Sequence, residues 1–438
     1  MKPIQDLKST WSKWTGRSKG RDMSMGEPGF FKQIIRPKKL ESVFLFVTSR
    51  CNSKCKTCFY ASELNQGRDM TLEQIQTISR TAPKFDKLWL SGGEPFLRKD
   101  LVEIIEAFYK NNGIKSINLP TNGLLTEPVE RMVGELLDRC PTLAIHLNFS
   151  VDGMPQTHDQ VRGVKGGFAK TMATMKLMEN KYHDHPRLHI NAATVITPDA
   201  YDELYDLALY LLAEHKLSTH FFETVRGDPR DDSVKDLSLE DIKKLHRRIM
   251  PLYDVMADRL FEPLPAPARV LAKATFVGIT RYLYQTHEEN YQGPTPWSMP
   301  CTAGLTTVVI DHDGSYRACE LRPKLGNLAD YDFDLTAAMQ AEAMQDEIEA
   351  IGGGERANCW CTHSCWILSS MKFSPATLLY EVPKAYWRAR PQGSHVRIGP
   401  DVSRTLRDKY PELARMDQVA PASDREMSVK EAIQDSTS

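Results

Sequence analysis

The stretch Ser42-Val43-Phe44-Leu45-Phe46-Val47-Thr48-Ser49-Arg50-Cys51-Asn52-Ser53-Lys54-Cys55-Lys56-Thr57-Cys58 decides how the rest of this chain is read. An apolar run of strand length ends on three cysteines spaced C-x3-C-x2-C. Three thiolates on one short loop can hold three irons of a four-iron cluster and leave the fourth iron open to another ligand. A cluster that only carries electrons wants four cysteines, and a structural zinc site is closed by four ligands. The triplet therefore points to a cluster that binds something.

Strand and helix patterns alternate outward from this loop. Strands are expected at 42–48, 86–90, 115–120, 144–151, 187–196 and 219–225, with helices at 71–82, 98–112, 126–139, 166–182 and 200–215. Thr71, with Glu73 early in the turn, is a sensible helix start. Six strand–helix units in so short a span predict an α/β fold, a parallel sheet covered by helices. A closed eight-unit barrel typically needs about 250 residues, so an open, partial (β/α)6 barrel fits residues 42–232 better. Residues 233–296 read as a helical bridge broken at Pro263, Pro265 and Pro267, with a wall facing the site. Residues 297–370 form a small cysteine-rich unit, with a strand at Thr306–Ile310, a turn at Asp313-Gly314 and a return strand from Ser315 to Glu320. Residues 371–438 are a C-terminal extension, expected to be disordered after about 415.

The chain has 438 residues, 41% hydrophobic and 26% charged, with net charge −1. That balance argues against a nucleic-acid partner. No stretch reaches the roughly 18 apolar residues of a membrane span, and no secretory signal is visible. A cytoplasmic protein is expected, in which nine cysteines at short spacings read as metal sites rather than disulfides. The basic segment 1–41 carries Ile4, Leu7, Trp11 and Trp14 on one helical face. Such a helix usually packs on the protein's own body. Through residues 1–22 it can also make the protein peripheral to a membrane surface.

Beyond the triplet stand Ser91-Gly92-Gly93-Glu94-Pro95, Thr121-Asn122-Gly123, Ser150-Val151-Asp152-Gly153 and His158-Asp159-Gln160-Val161-Arg162-Gly163. All lie at the C-terminal ends of expected strands, where ligands bind in parallel α/β folds. With the triplet, these motifs resemble the radical S-adenosylmethionine (SAM) superfamily over about 42–232. The resemblance implies a SAM-binding four-iron four-sulfur cluster on Cys51, Cys55 and Cys58. It also implies that Gly92 and Gly93 let backbone approach the methionine end of SAM. Glu94 would accept from its ammonium, Arg162 would pair with its carboxylate, and Ser150 and Asn122 would bond ribose or the methionyl group. Asp152 and His158 are expected only to shape their loop. The fifth strand should line the adenine edge. Where many members place an aromatic residue before the third cysteine, this chain has Thr57, with Phe59 and Tyr60 after Cys58. The implied partners are SAM, a one-electron reductant such as flavodoxin or ferredoxin, and a substrate that gives up a hydrogen atom. No catalytic side chain is singled out.

Cys301, Gly314 and Cys319 are spaced C-x12-G-x4-C, and Cys359-Trp360-Cys361-Thr362-His363-Ser364-Cys365 follows. This set resembles the SPASM and twitch extensions, which bind auxiliary iron–sulfur clusters. It implies one auxiliary four-iron four-sulfur cluster on four of Cys301, Cys319, Cys359, Cys361 and Cys365. His363 is expected beside the ligands or exposed rather than among them, and Cys140 as a buried small hydrophobe. An auxiliary cluster tilts the expectation toward oxidoreductase chemistry: dehydrogenation or cross-linking of a peptide, sugar or lipid-linked metabolite. The alternatives are a redox-neutral epimerase and a non-catalytic zinc-binding module.

Overall fold

The computed structural model describes residues 39–182, 184–291, 301–352, 359, 361–388, 396 and 398–416. The basic stripe of residues 1–22 and the tail from 417 lie outside them. No helix among the described residues is long and apolar enough to cross a membrane.

The expected alternation is present. The strands are β1 (Ser42–Thr48), β2 (Lys87–Gly92), β3 (Ser116–Thr121), β4 (Ala144–Ser150), β5 (Leu188–Ile196) and β6 (Thr219–Thr224). Between them run α1 (Leu72–Thr81), α2 (Leu101–Asn112), α3 (Thr126–Arg139), α4 (Pro155–Arg162), α5 (Gly167–Lys181) and α6 (Leu204–Glu214). Thr71 caps α1 as read from sequence, but its reciprocal partner is Gln74 rather than Glu73: Thr71 Oγ1 accepts from the Gln74 amide, and Gln74 Oε1 from the Thr71 amide. The short α4 was not anticipated. It has no apolar periodicity; Pro155 starts it and Gly163, with φ of 67°, ends it.

β1 to β6 are parallel and stand in sequential order, β6-β5-β4-β3-β2-β1, without closing. One face is covered by α1–α6 and carries Leu88, Leu90, Ile117, Leu119, Ile145, Leu147 and Phe149, all buried. Burial of this apolar layer drives the fold. The other, inner face carries Phe44, Trp89, Asn118, His146 and His189 in one row across the strands. Asn148, Asn191 and Thr219 form the next row.

The sheet does not stop at β1. β7 (Thr307–Ile310) pairs parallel to it, from Ser42↔Thr307 to Leu45↔Ile310, and β8 (Ser315–Arg317) and β9 (Gly326–Asn327) continue the order. The hairpin expected in a separate unit is therefore an extension of the main sheet. This explains the unbroken apolar run of β1: all seven residues are buried because strands flank it on both sides. The return strand is shorter than expected and stops at Arg317, whose guanidinium turns back onto Asp311.

The bridge is two helices, α7 (Leu239–Leu260) and α8 (Ala266–Asn290), separated at the expected prolines. Tyr253 donates to the His220 carbonyl at 2.8 Å, and Tyr284 Oη accepts from the Phe222 amide at 3.1 Å. His220 and Phe222 point away from the inner face, so at these contacts the bridge packs behind β6, while the end of α8 reaches the later cysteines, where Asn290 Nδ2 donates to the Cys361 carbonyl at 2.7 Å. Next come α9 (Leu335–Gln340), α10 (Glu342–Gly352) and α11 (Ser364–Met371). The C-terminal extension adds α12 (Val382–Arg388), α13 (Pro400–Lys409) and α14 (Pro411–Met416). Lys409 and Tyr410 anchor it to Asp206 of α6.

Candidate functional site

The cysteine loop is fastened from several sides. Asp69 accepts from Thr48 Oγ1, the Ser49 amide and Ser49 Oγ. Asn65 accepts from the Cys51 amide at 3.0 Å. The Lys54 and Lys56 amides donate to the Arg162 and Val161 carbonyls. From β2, the Gly93 amide donates to Thr48 and the Glu94 amide to Arg50, each at 2.8 Å.

Those last contacts explain the two glycines. A Cβ on Gly93 would stand 1.9 Å from the Arg50 carbonyl oxygen, and one on Gly92, where φ is +122°, would stand 2.3 Å from the Thr48 oxygen. Both missing side chains point at the cysteine loop. The glycines thus let β2 and that loop touch, a role beside the approach to SAM expected of them.

Cys51, Ser53, Cys55, Gly93, Glu94, Pro95, Pro120, Thr121, Asn122, Ser150 and Arg162 line one cavity, which holds about 310 Å³ open to solvent. Every cofactor-contact residue expected from sequence except Gly92 lines it. Glu94 is 2% exposed and accepts from the Asn122 amide at 2.8 Å and the Phe96 amide at 3.3 Å. Burial raises its carboxyl to about 7, against the pull of those amides. Asn122 Nδ2 donates to Asn52 Oδ1 at 2.7 Å and Ser53 Oγ at 3.1 Å, so Asn122 also clamps the loop.

Arg162 is no surface ion pair. Its Nε lies 3.0 Å from Asp152 Oδ2, although the N–H is not aligned on that oxygen, and Nη1 donates to Cys55 Sγ at 3.2 Å. Burial opposes its charge; Asp152 and Cys55 more than offset this. Asp152 also accepts from the Val195 amide, and His158 Nδ1 accepts from the Asp152 amide, so both residues shape the loop as expected. No residue of β5 lines the cavity. Phe59 and Tyr60 turn toward the later cysteine-rich unit: Tyr60 Oη meets His312 Nδ1 at 2.7 Å, and Phe59 packs under Arg226.

The donor set fits a four-iron cluster. Cys51, Cys55 and Cys58 are free thiols close enough that, after burial itself, Cys55 raises the pKa of both others. Cationic iron would relieve that crowding. Among the described residues no three His, Cys, Asp or Glu side chains converge as ligands of one metal ion must.

The second cysteine set reaches the first through one arginine. Arg226, just past β6, lies 5.1 Å over the Phe59 ring and 3.1 Å from Glu320 Oε1. Glu320 Oε1 also meets His363 Nε2 at 2.7 Å. Burial would raise the Glu320 carboxyl, but His363 and Arg226 hold it down at about 2. The same loop donates the Arg230 amide to the Cys58 carbonyl and the Asp231 amide to that of Lys56. His363 is buried beside the thiols, as expected, and its amide donates to Cys361 Sγ at 3.0 Å. Cys140 is fully buried.

The centre of the inner face, between Lys87 and Glu223, presents uncharged polar groups. Asn148 Nδ2 donates to Asn118 Oδ1 at 3.4 Å, Asn191 Nδ2 to Asn148 Oδ1 at 3.0 Å and Thr219 Oγ1 to Asn191 Oδ1 at 2.8 Å. His146 and His189 stack at 4.8 Å. Burial, then His189, lowers His146 to about 4, so it is neutral at pH 7. On β1 and β2 the same face is aromatic: Trp89 stacks on Phe44 at 5.1 Å, and Phe44 on Trp366 of α11 at 5.4 Å. None of these inner-face rows, nor the Asn65 and Asp69 anchors, was read from sequence. Strict alternation of polar residues along β4 (His146, Asn148, Ser150) was the available signal.

Residues 45–211 match the family model described as the Radical SAM superfamily. A probable GTP 3′,8-cyclase of Methanocaldococcus jannaschii is 43% identical over 93 residues, 20% of this chain and 31% of that protein. The molybdenum cofactor biosynthesis protein moc-5 of Caenorhabditis elegans is 28% identical over 203 residues, 45% of this chain and 32% of that protein. The chain thus spans about a third of the length of these relatives. Among solved structures, anSMEcpe with bound AdoMet superposes with a TM-score of 0.52 at 18% identity, covering 85% of this chain and 99% of that one. That likeness is one of fold.

Proposed function

Residues 45–211 belong to the radical SAM superfamily, and from that premise we propose that this chain cleaves SAM reductively and oxidises an uncharged polar substrate held on the inner face of its sheet. The family binds a four-iron four-sulfur cluster and SAM. When bound, they supply a 5′-deoxyadenosyl radical that removes a hydrogen atom from an unactivated C–H bond. The observation that carries the reading is the single cavity onto which Cys51, Cys55, Glu94, Asn122, Ser150 and Arg162 open together.

The chain's own residues then have definite work. Cys51, Cys55 and Cys58 ligate three irons. Glu94 offers a carboxylate to the SAM ammonium. Arg162, held by Asp152, presents positive charge toward the SAM carboxylate. Ser150 stands two residues along β4 from Asn148, on the same face, so the SAM cavity continues into the polar rows. α11 covers the aromatic end of that face and helps exclude water. Removing a hydrogen atom leaves one further electron to be lost in a net oxidation, and the second cysteine set supports its acceptance by an auxiliary cluster. An external one-electron donor would reduce the first cluster.

The 43% identity to a GTP 3′,8-cyclase favours a second reading, cyclisation of a nucleoside triphosphate. The inner face argues against it. Among the described residues, the cations named at this face are Lys87, which lies over Trp89 with its charge disfavoured by burial, and Arg226, which is engaged by Glu320 and Glu223. A triphosphate needs unengaged positive charge. The test is anaerobic turnover of the reduced protein with SAM, with and without GTP. SAM cleavage with GTP unchanged supports the oxidative reading, and conversion of GTP to a cyclised isomer supports the second.

A further inference from the structure

The later set has five thiols, and one cluster needs four. We propose that Cys301, Cys319, Cys359 and Cys361 hold the auxiliary cluster, and that Cys365 is a free thiol on the substrate side of the sheet. The inference rests on the radical SAM reading above.

Helix geometry separates Cys365 from the others. In α11, Ser370 faces the first ligand: its Oγ accepts from the Thr302 amide at 3.1 Å, next to Cys301. Five residues apart on a helix means about 140° of rotation, so Cys365 points elsewhere. Lys372, seven residues on and on the Cys365 face, pairs with Glu41 at the foot of β1. The third face, with Ile367 and Met371, packs against Tyr282 and Leu283 of α8. Trp366, the next residue, lies on Phe44 of the inner face, so Cys365 borders the side of α11 that covers the sheet. Cys365 is half-buried, as are Cys301 and Cys359, whereas Cys319 and Cys361 are buried.

The surroundings agree. The thiols of Cys301, Cys319 and Cys361 each feel other members of the proposed four: Cys359 acts on Cys301, Cys361 and Cys301 on Cys319, and Cys301 and Cys359 on Cys361. The charges acting on Cys365 are instead Glu223, Arg226, Glu320 and Lys87. Glu223 of β6 and Lys87 of β2 both belong to the inner face, one from each side of it. Arg226 stands between the two groups, acted on by Cys365 and Cys361 alike. Glu223 Oε2 and Trp89 Nε1 are buried there without a hydrogen-bond partner, polar atoms for a bound molecule to satisfy.

The experiment uses anaerobically reconstituted full-length protein. With iodoacetamide and peptide mapping, Cys365 should be alkylated in the wild-type holoenzyme while Cys301, Cys319, Cys359 and Cys361 are protected. Cys365→Ala should keep the wild-type content of about eight irons, and Cys361→Ala should fall to about half of it. Alkylation of one of the four with Cys365 protected would overturn the assignment. So would an iron loss in Cys365→Ala equal to that in Cys361→Ala. SAM cleavage is scored separately: a wild-type protein that cleaves SAM but lacks auxiliary iron overturns this inference alone.

Discussion

Replacing Gly93 by alanine tests the packing on which the whole site rests. The new Cβ would sit 1.9 Å from the Arg50 oxygen and 2.4 Å from the Arg50 carbonyl carbon, both backbone atoms. Real Cβ contacts begin near 3.0 Å, so β2 and the cysteine loop must part by about 1.1 Å. No side chain can swing away to absorb that. The displacement strains the Gly93–Thr48 and Glu94–Arg50 bonds, both 2.8 Å long. Two weakened backbone hydrogen bonds cost about 1 kcal/mol each, and overpacking adds about 1–3 kcal/mol. A loss of about 3–5 kcal/mol follows, enough to lower the melting temperature of a chain this long by roughly 3–5 °C. Because the strain falls next to Cys51, iron retention should suffer with stability. The assay pairs thermal melting of the apoprotein with iron content after reconstitution. Gly399→Ala, at a glycine with nothing within 4 Å of a built Cβ, is the control. If Gly93 served only to clear room for SAM, the variant would melt normally, keep its iron and bind SAM weakly. That result would refute the packing argument.

Further outcomes follow from other contacts. Asp152→Asn leaves the buried Arg162 guanidinium without its carboxylate, which should cost about 3–5 kcal/mol in urea unfolding. His220 is fully buried with Nε2 2.8 Å from Thr194 Oγ1, and burial lowers it to about 3. A base held below its unfolded value of about 6.5 stabilises the fold above that pH, and the stability is lost as pH falls toward 3. Melting temperature should therefore drop below pH 6.5, and His220→Gln should flatten part of that slope. Arg226→Met removes positive charge beside Cys361 and Cys365. It should lower the midpoint potential of the auxiliary cluster in anaerobic titrations, since positive charge favours the reduced form; an unchanged potential would show that Arg226 is only packing.

Much of this was legible in local sequence. β1 and α3 begin and end where their patterns do, because each is a continuous apolar or amphipathic run with sharp ends. The C-x3-C-x2-C loop and the motifs at Glu94, Asn122, Ser150 and Arg162 converge on one cavity because strand ends in a parallel sheet lie side by side. What was not legible depends on contacts between distant segments. Nothing local shows that β7 pairs with β1, or that Gly92 and Gly93 face Thr48 and Arg50. The proposed sorting of Cys365 from Cys361 likewise depends on the rotation of α11, and spacing alone left open which two of Cys359, Cys361 and Cys365 join Cys301 and Cys319. α4 escaped detection because its eight residues are mostly polar and are held by Pro155 and Gly163 at its ends.

The most direct test of the central claim is product analysis after anaerobic reduction of the reconstituted protein with SAM. The account predicts 5′-deoxyadenosine and methionine from the wild-type protein, and neither from the Cys51→Ala, Cys55→Ala, Cys58→Ala triple variant. A colourless, iron-free protein that leaves SAM intact, or a triple variant that still cleaves it, would contradict the account.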